Sequence, residues 1–208
     1  MIALLLWMGV PCALSSFFPE DKAPINSSKF NLKFNLQVIE RFVDRAENLV
    51  EAQGGKLVVI PEWNNPRINA LATRQEHIWE IHIYGGLLSH PELSEDEVTL
   101  VLCHELGHHL GGKPTASRGG WSSSEGQSDY WSGQFCAHLL DAPEQSAEKL
   151  TRLYAESSAG SLPRLTEKDL KVVARTFFGY PSAQCRLDTI VAGMKGWERP
   201  FCWYAPEK

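Results

Sequence analysis

The stretch from Ser94 to Gly112 constrains this chain more than any other. Ser94-Glu95-Asp96-Glu97 offers a helix cap with an acid three residues on, the pattern of a capping box. Gly111-Gly112 supply a C-terminal stop. The apolar residues between them recur at helical spacing, yet the segment also holds His104-Glu105-Leu106-Gly107-His108. On a helix, His104 and His108 lie one turn apart on one face, so their imidazoles can converge on one cation. Glu105 sits beside that face, where it can take a proton from metal-bound water. Two histidines and a glutamate have no other reason to line up inside a capped, apolar helix, and the pattern reads as a site for one Zn²⁺ per chain. Water on such an ion has a pKa lowered to about 7, which supplies hydroxide at neutral pH.

A third ligand is needed. One solution is a histidine ten residues after His104, but that position is Pro114, which cannot bind metal. A carboxylate from a second helix is the other. Glu125 fits, and Asp129 follows at i+4 on the same face, from where it can accept the free N–H of a ligand histidine and fix its tautomer. Asp141 and Glu144 compete from beyond that helix, beside Pro143. His109 faces about 100° away from His108 and reads as solvent-facing or as a neighbour of the site. Trp121, Tyr130 and Trp131 read as core or cleft wall.

The rest of the chain supplies a scaffold of α+β class, with strands early and helices late. Val38, Ile39, Phe42, Val43, Ala46 and Val50 form one helical stripe over residues 35–53. Lys56–Ile60, Arg67–Thr73 and His77–Tyr84 read as strands, with Gln75-Glu76 as a turn. Further helices are expected at 125–140, 144–157, 166–178 and 182–195. The expected fold is a small antiparallel or mixed sheet beside the zinc-binding helix, followed by a mainly helical C-terminal half.

Ile2–Val10 is apolar and uncharged, too short to span a bilayer, and matches the core of a secretory signal followed by small residues at Ala13, Ser15 and Ser16. Residues 1–16 are therefore read as a signal segment and 17–208 as one domain, exported to a periplasm or secreted. No other stretch is long and apolar enough to span. Four cysteines remain, and an even count in an exported chain suggests disulfides. Cys185 and Cys202 are the favoured pair, while Cys103 and Cys136 lie in apolar helical patterns where buried thiols are equally expected. With 20 basic and 25 acidic residues and no basic run longer than two, a nucleic-acid footprint is excluded.

Several stretches resemble the gluzincin metallopeptidases of the HtpX and CAAX-prenyl-protease type, in particular their soluble exported bacterial relatives. The resemblance covers residues 65–190. It runs through Asn69-Ala70-Leu71-Ala72, Ile83-Tyr84-Gly85-Gly86-Leu87-Leu88, the capping box, the His104–His108 pattern, Glu125-Gly126-Gln127-Ser128-Asp129, Tyr180-Pro181 and Arg186. It implies that His104, His108 and Glu125 bind zinc, that Glu105 is the general base and that Asp129 orients a ligand histidine. It also places an edge strand next to the helix, for which His77–Tyr84 is the candidate to receive an extended peptide. Where the family often has His-Pro this chain has Tyr180-Pro181. Tyr180 and Arg186 are accordingly expected to face the metal from the side opposite Glu105 and to donate to the developing oxyanion; the alternative is a structural ion pair of Arg186 with Asp188 or Asp129, with Tyr180 only packing.

The resulting expectation is a zinc-dependent endopeptidase acting on a protein or peptide substrate, with envelope proteins as the class of associating partner. The alternative is a zinc-dependent binding or chaperone module with little or no turnover. An intact Glu105 favours the enzyme, because a binder has no need of that base.

Overall fold

The structure is a computed structural model and describes Ser15–Ser16 and residues 32–206. The apolar segment 2–10 and Cys12 lie outside the described residues. Of the small residues expected near the signal's end, Ser15 and Ser16 form a two-residue strand, β1. Helix α1 (Leu32–Glu51) follows, then β2 (Lys56–Glu62), β3 (Ala70–Gln75) and β4 (Ile78–Tyr84). The C-terminal part is helical: a single turn α2 (Gly85–Leu88), then α3 (Glu95–Leu110), α4 (Glu125–Cys136), α5 (Pro143–Ser157) and α6 (Ala183–Lys195). The class is α+β with a mixed sheet, as expected.

The sheet order is β1-β3-β4-β2, with β4 antiparallel to β3 and parallel to β2. Alternation in β4 sorts its faces: Trp79, Ile81 and Ile83 are buried, while Glu80 and His82 lie opposite with Glu62 and Thr73. One expectation fails here. His77–Tyr84 is not an edge, because β4 is paired along its length on both sides and has no backbone groups left for an added strand. The outer strand is β2, which tolerates Pro61 because an edge residue can lack an N–H. On the other side, β3 meets Ser15–Ser16 at Leu71 and Ala72. Strand β3 also starts at Ala70 rather than Arg67. Asn65 and Asn69 bond to nearby backbone there and hold a loop instead.

Helix α1 lays Val38, Ile39, Phe42, Ala46 and Val50 on the core, which continues through Ile81, Ile83, Leu100, Leu102, Leu106 and Leu150. The capping box of α3 forms: Ser94 donates its backbone N–H (2.6 Å) and its hydroxyl (2.7 Å) to one oxygen of Glu97. Helices α4 and α6 cross at glycines. A Cβ on Gly133 would lie 2.1 Å from the Ile190 carbonyl oxygen, and one on Gly193 would lie 2.1 Å from that of Tyr130. Only Gly permits so close an approach.

Two cysteine pairs lie at disulfide distance. Cys185 and Cys202 are joined as expected, with Cα atoms 5.9 Å apart. Cys103 and Cys136 are also joined, Cα–Cα 6.3 Å, tying α3 to α4. The helix expected at 166–178 is absent, and the segment is irregular. Its backbone groups find tertiary partners in place of helical ones. The N–H groups of Asp169, Val173 and Phe177 donate to the Asp188 carboxylate and to the carbonyls of Phe201 and Trp203. No described helix is long and apolar enough to cross a membrane.

Candidate metal centre

The buried core of α3 delivers both histidines to one point, and α4 meets them there. His104 Nδ1 lies 2.8 Å from Asp129 Oδ1, and His108 Nδ1 lies 2.9 Å from the Ser123 carbonyl oxygen. A carboxylate and a carbonyl can only accept, so both histidines carry their proton on Nδ1. Both Nε2 atoms are then turned inward and face each other at 3.1 Å, close enough for one proton to be shared between them or for a metal ion to replace it. Glu125 completes the triangle, with one oxygen 3.4 Å from His104 Nε2 and the other 3.7 Å from His108 Nε2. Three donor atoms packed this closely repel one another unless a proton or a metal ion lies among them. The separations suit one. Donors about 2.0–2.2 Å from a tetrahedral ion sit roughly 3.3–3.6 Å apart. His104, His108 and Glu125 thus form a group that can hold a metal ion.

Electrostatics point the same way. Burial alone would depress His104, but Asp129 and Glu125 outweigh it and push its pKa up to about 9. Burial, together with the charge on His104, holds His108 down to about 4, against the pull of Glu125. Burial would raise Glu125, but His108 and His104 outweigh it and hold its pKa below the ordinary value. One proton on the group is therefore favoured and two are not.

Around this group lies a chain of buried partners. Burial would raise Asp129, yet Arg186 and His104 bring its pKa down to about 2. Arg186, wholly buried, donates from Nε to Asp129 Oδ2 and from Nη2 to Oδ1, both at 2.8 Å. Its guanidinium stacks 4.6 Å over the Tyr154 ring, and the Tyr154 hydroxyl donates to the Pro181 carbonyl at 3.1 Å. Arg186 thus forms the ion pair with Asp129 that was the alternative to a donor role, and two of its donors position that carboxylate. Tyr180 is half-buried and packs on the main core. Tyr154 was not legible as part of this chain of contacts, since its only signal is a place on the apolar stripe of α5. The Ser123 carbonyl carries no residue-type signal at all.

The competing carboxylates are accounted for. Asp141 is exposed, and Glu144 pairs with Lys195. His109 is buried rather than solvent-facing. Its ring lies between those of Trp79 and Trp121, at 5.4 and 4.9 Å. Burial holds its pKa down to about 3, and its Nε2–H donates to the Glu80 carbonyl at 3.1 Å. Trp121, half-buried, thus stacks on α3 through His109. Glu105 shares the helix and the burial of both histidines.

Two histidines and one carboxylate thus form a buried group that could hold a metal ion, with Asp129 against His104 and Glu105 on the same helix. Comparison with family models, with curated proteins and with solved structures finds no match for this chain, so the reading rests on the residues themselves.

Proposed function

We propose that this protein is a zinc-dependent endopeptidase of the gluzincin kind, with His104, His108 and Glu125 holding the metal. The observation that carries the reading is the lone-pair triangle of these three residues on the helix that also bears Glu105. Imidazole and carboxylate are the donor types zinc takes in catalytic sites, where three protein ligands leave a fourth position for water. Bound zinc supplies a Lewis acid and an acidified water.

The chain's own residues do the remaining work. Glu105 receives a proton from the attacking water and returns it to the departing amine, acting as base and then acid. Asp129 fixes the tautomer and orientation of His104 and makes it a better donor. Arg186 holds Asp129 ionised for that task, and the Ser123 carbonyl does for His108 what Asp129 does for His104. A peptide adding to the sheet would do so along β2, since β4 is enclosed and β3 is paired with β1.

The test pairs metal content with turnover. Purified protein should contain about one zinc per chain and cleave casein in a chelator-sensitive way. Glu105→Gln should keep the zinc and abolish cleavage. Zinc retained with no cleavage by the native protein would leave the binding-module reading in its place. Absence of zinc after reconstitution would end both.

A further inference from the structure

Six of the large hydrophobic side chains exposed among the described residues come from two segments near the C-terminus: Leu170 (87% exposed), Val172 (74%), Phe177, Phe178, Trp197 (55%) and Phe201 (50%). They include every exposed Phe and Trp in that set. The segments run side by side. Val173 N–H donates to the Phe201 carbonyl at 2.9 Å, Phe177 N–H to that of Trp203 at 2.7 Å, and Thr176 and Ala205 exchange two more bonds. The ribbon is anchored from behind by the Cys185–Cys202 pair and by Asp188, which receives both the Asp169 N–H and the Lys168 ammonium. The buried Trp203 fixes its inner side, lying where Gly126 of α4 leaves room. These side chains are held out by a stapled, hydrogen-bonded frame. Apolar exposure concentrated on two hydrogen-bonded segments in this way points to an interaction surface.

The charge on the same segments selects the partner. Residues 164–178 and 195–201 contain six basic and three acidic side chains, against 14 basic and 22 acidic in the rest of the chain. The protein is acidic overall, with a formal charge of -5, and although Arg164, Lys168 and Lys195 pair with Glu167, Asp188 and Glu144, the ribbon keeps Lys171, Arg175 and Arg199 beyond those pairs. Lys171 and Arg175 are exposed among the apolar residues, and Lys171 lies 5.9 Å over the Phe177 ring. Aromatic and branched side chains projecting between cations suit the boundary between headgroups and acyl chains, where rings seat at headgroup depth and Lys and Arg meet anionic lipid.

We propose that this ribbon docks the protein onto the surface of an anionic phospholipid bilayer, with Leu170, Val172, Trp197 and Phe201 entering the interface. The surface is independent of the metal group, so the proposal stands or falls apart from the catalytic reading.

The experiment is sedimentation of the purified full chain with vesicles of phosphatidylcholine alone and of phosphatidylcholine with 30% phosphatidylglycerol. Binding is expected to the anionic vesicles and to weaken in high salt. Trp197→Ser with Phe201→Ser removes two half-exposed aromatics and should weaken partitioning roughly thirtyfold. Lys171→Glu and Arg175→Glu should each weaken it at least fivefold. Circular dichroism melts and metal content, unchanged in each variant, keep a folding defect apart from a docking defect. No binding to anionic vesicles would overturn the proposal, as would binding indifferent to all four substitutions. A concentration-dependent dimer in light scattering that the Trp197 and Phe201 changes abolish would assign the surface to a second copy instead.

Discussion

Removing the charge on Asp129 probes the interior more sharply than any other single change. Its carboxylate is wholly buried and serves three hydrogen bonds of 2.8 Å, one from His104 and two from Arg186. The drop in its pKa from 3.8 to about 2 corresponds to about 2 kcal/mol of net stabilisation after desolvation is counted. Asp129→Asn should cost more, about 3–5 kcal/mol, because it leaves the Arg186 guanidinium buried without its counter-charge. It should also weaken metal binding by about 10–100-fold through the loss of His104 orientation. Arg186→Met alone should cost a similar amount for the mirror-image reason. The double variant removes both charges and replaces the guanidinium with an apolar chain, so its loss should fall short of the sum of the singles by more than about 2 kcal/mol. Urea unfolding of all four proteins, with metal removed, measures the cycle. Additivity within about 0.5 kcal/mol would refute the coupling. The sign with pH follows from the lowered pKa. Stability from Asp129 is complete above about pH 4 and is lost as pH falls towards 2, and Asp129→Asn should abolish that part of the acid dependence.

Two other outcomes follow from the same geometry. Metal uptake should release close to one proton at pH 7.5, because His104 holds a proton up to about pH 9 in the metal-free group. Calorimetry in buffers of different ionisation enthalpy counts it, and release near zero would contradict the raised pKa. Changing Cys103 and Cys136 together to Ala should lower stability by about 3–4 kcal/mol in the chain-entropy model for a 33-residue span. Because that span encloses His104, His108 and Glu125, metal affinity should fall with it, and unchanged affinity would show that α3 and α4 hold their register unaided.

The metal group was legible in the sequence where several local signals agreed. Capping box, apolar period and glycine stop all set the same bounds for α3, and i, i+4 spacing put Glu125 and Asp129 on one face. Alternation likewise gave the two faces of β4. What failed was non-local. Nothing in residues 77–84 encodes that β2 pairs parallel to them on the far side, since that contact is made by a chain segment about 20 residues away with a turn and a strand between. Residues 166–178 carry charges and apolar groups at spacings that mimic an amphipathic helix, but the Phe201 and Trp203 carbonyls and the Asp188 carboxylate claim their N–H groups. Tertiary partners overrode a weak local preference there. Cys103 showed only an apolar neighbourhood, which a thiol and a disulfide share.

The buried charges impose a last condition. Arg186 brings one positive charge, while Asp129, Glu125 and Glu105 bring three negative ones when ionised, all at or near zero exposure. A proton on His104 offsets one of the two surplus charges, and a divalent cation would offset both. Uncompensated charge in such surroundings costs several kcal/mol, so an ion bound there would contribute to folding. Binding to the native state alone stabilises it by about 4 kcal/mol when free metal is a thousandfold above its dissociation constant. Chelation should therefore lower the melting temperature, and zinc in excess should restore it, whereas a monovalent ion at the same concentration should not. Melting curves recorded with and without chelator decide the matter. Coincident curves would mean that the triangle of His104, His108 and Glu125 is satisfied by protons alone, and the metal reading would be lost with them.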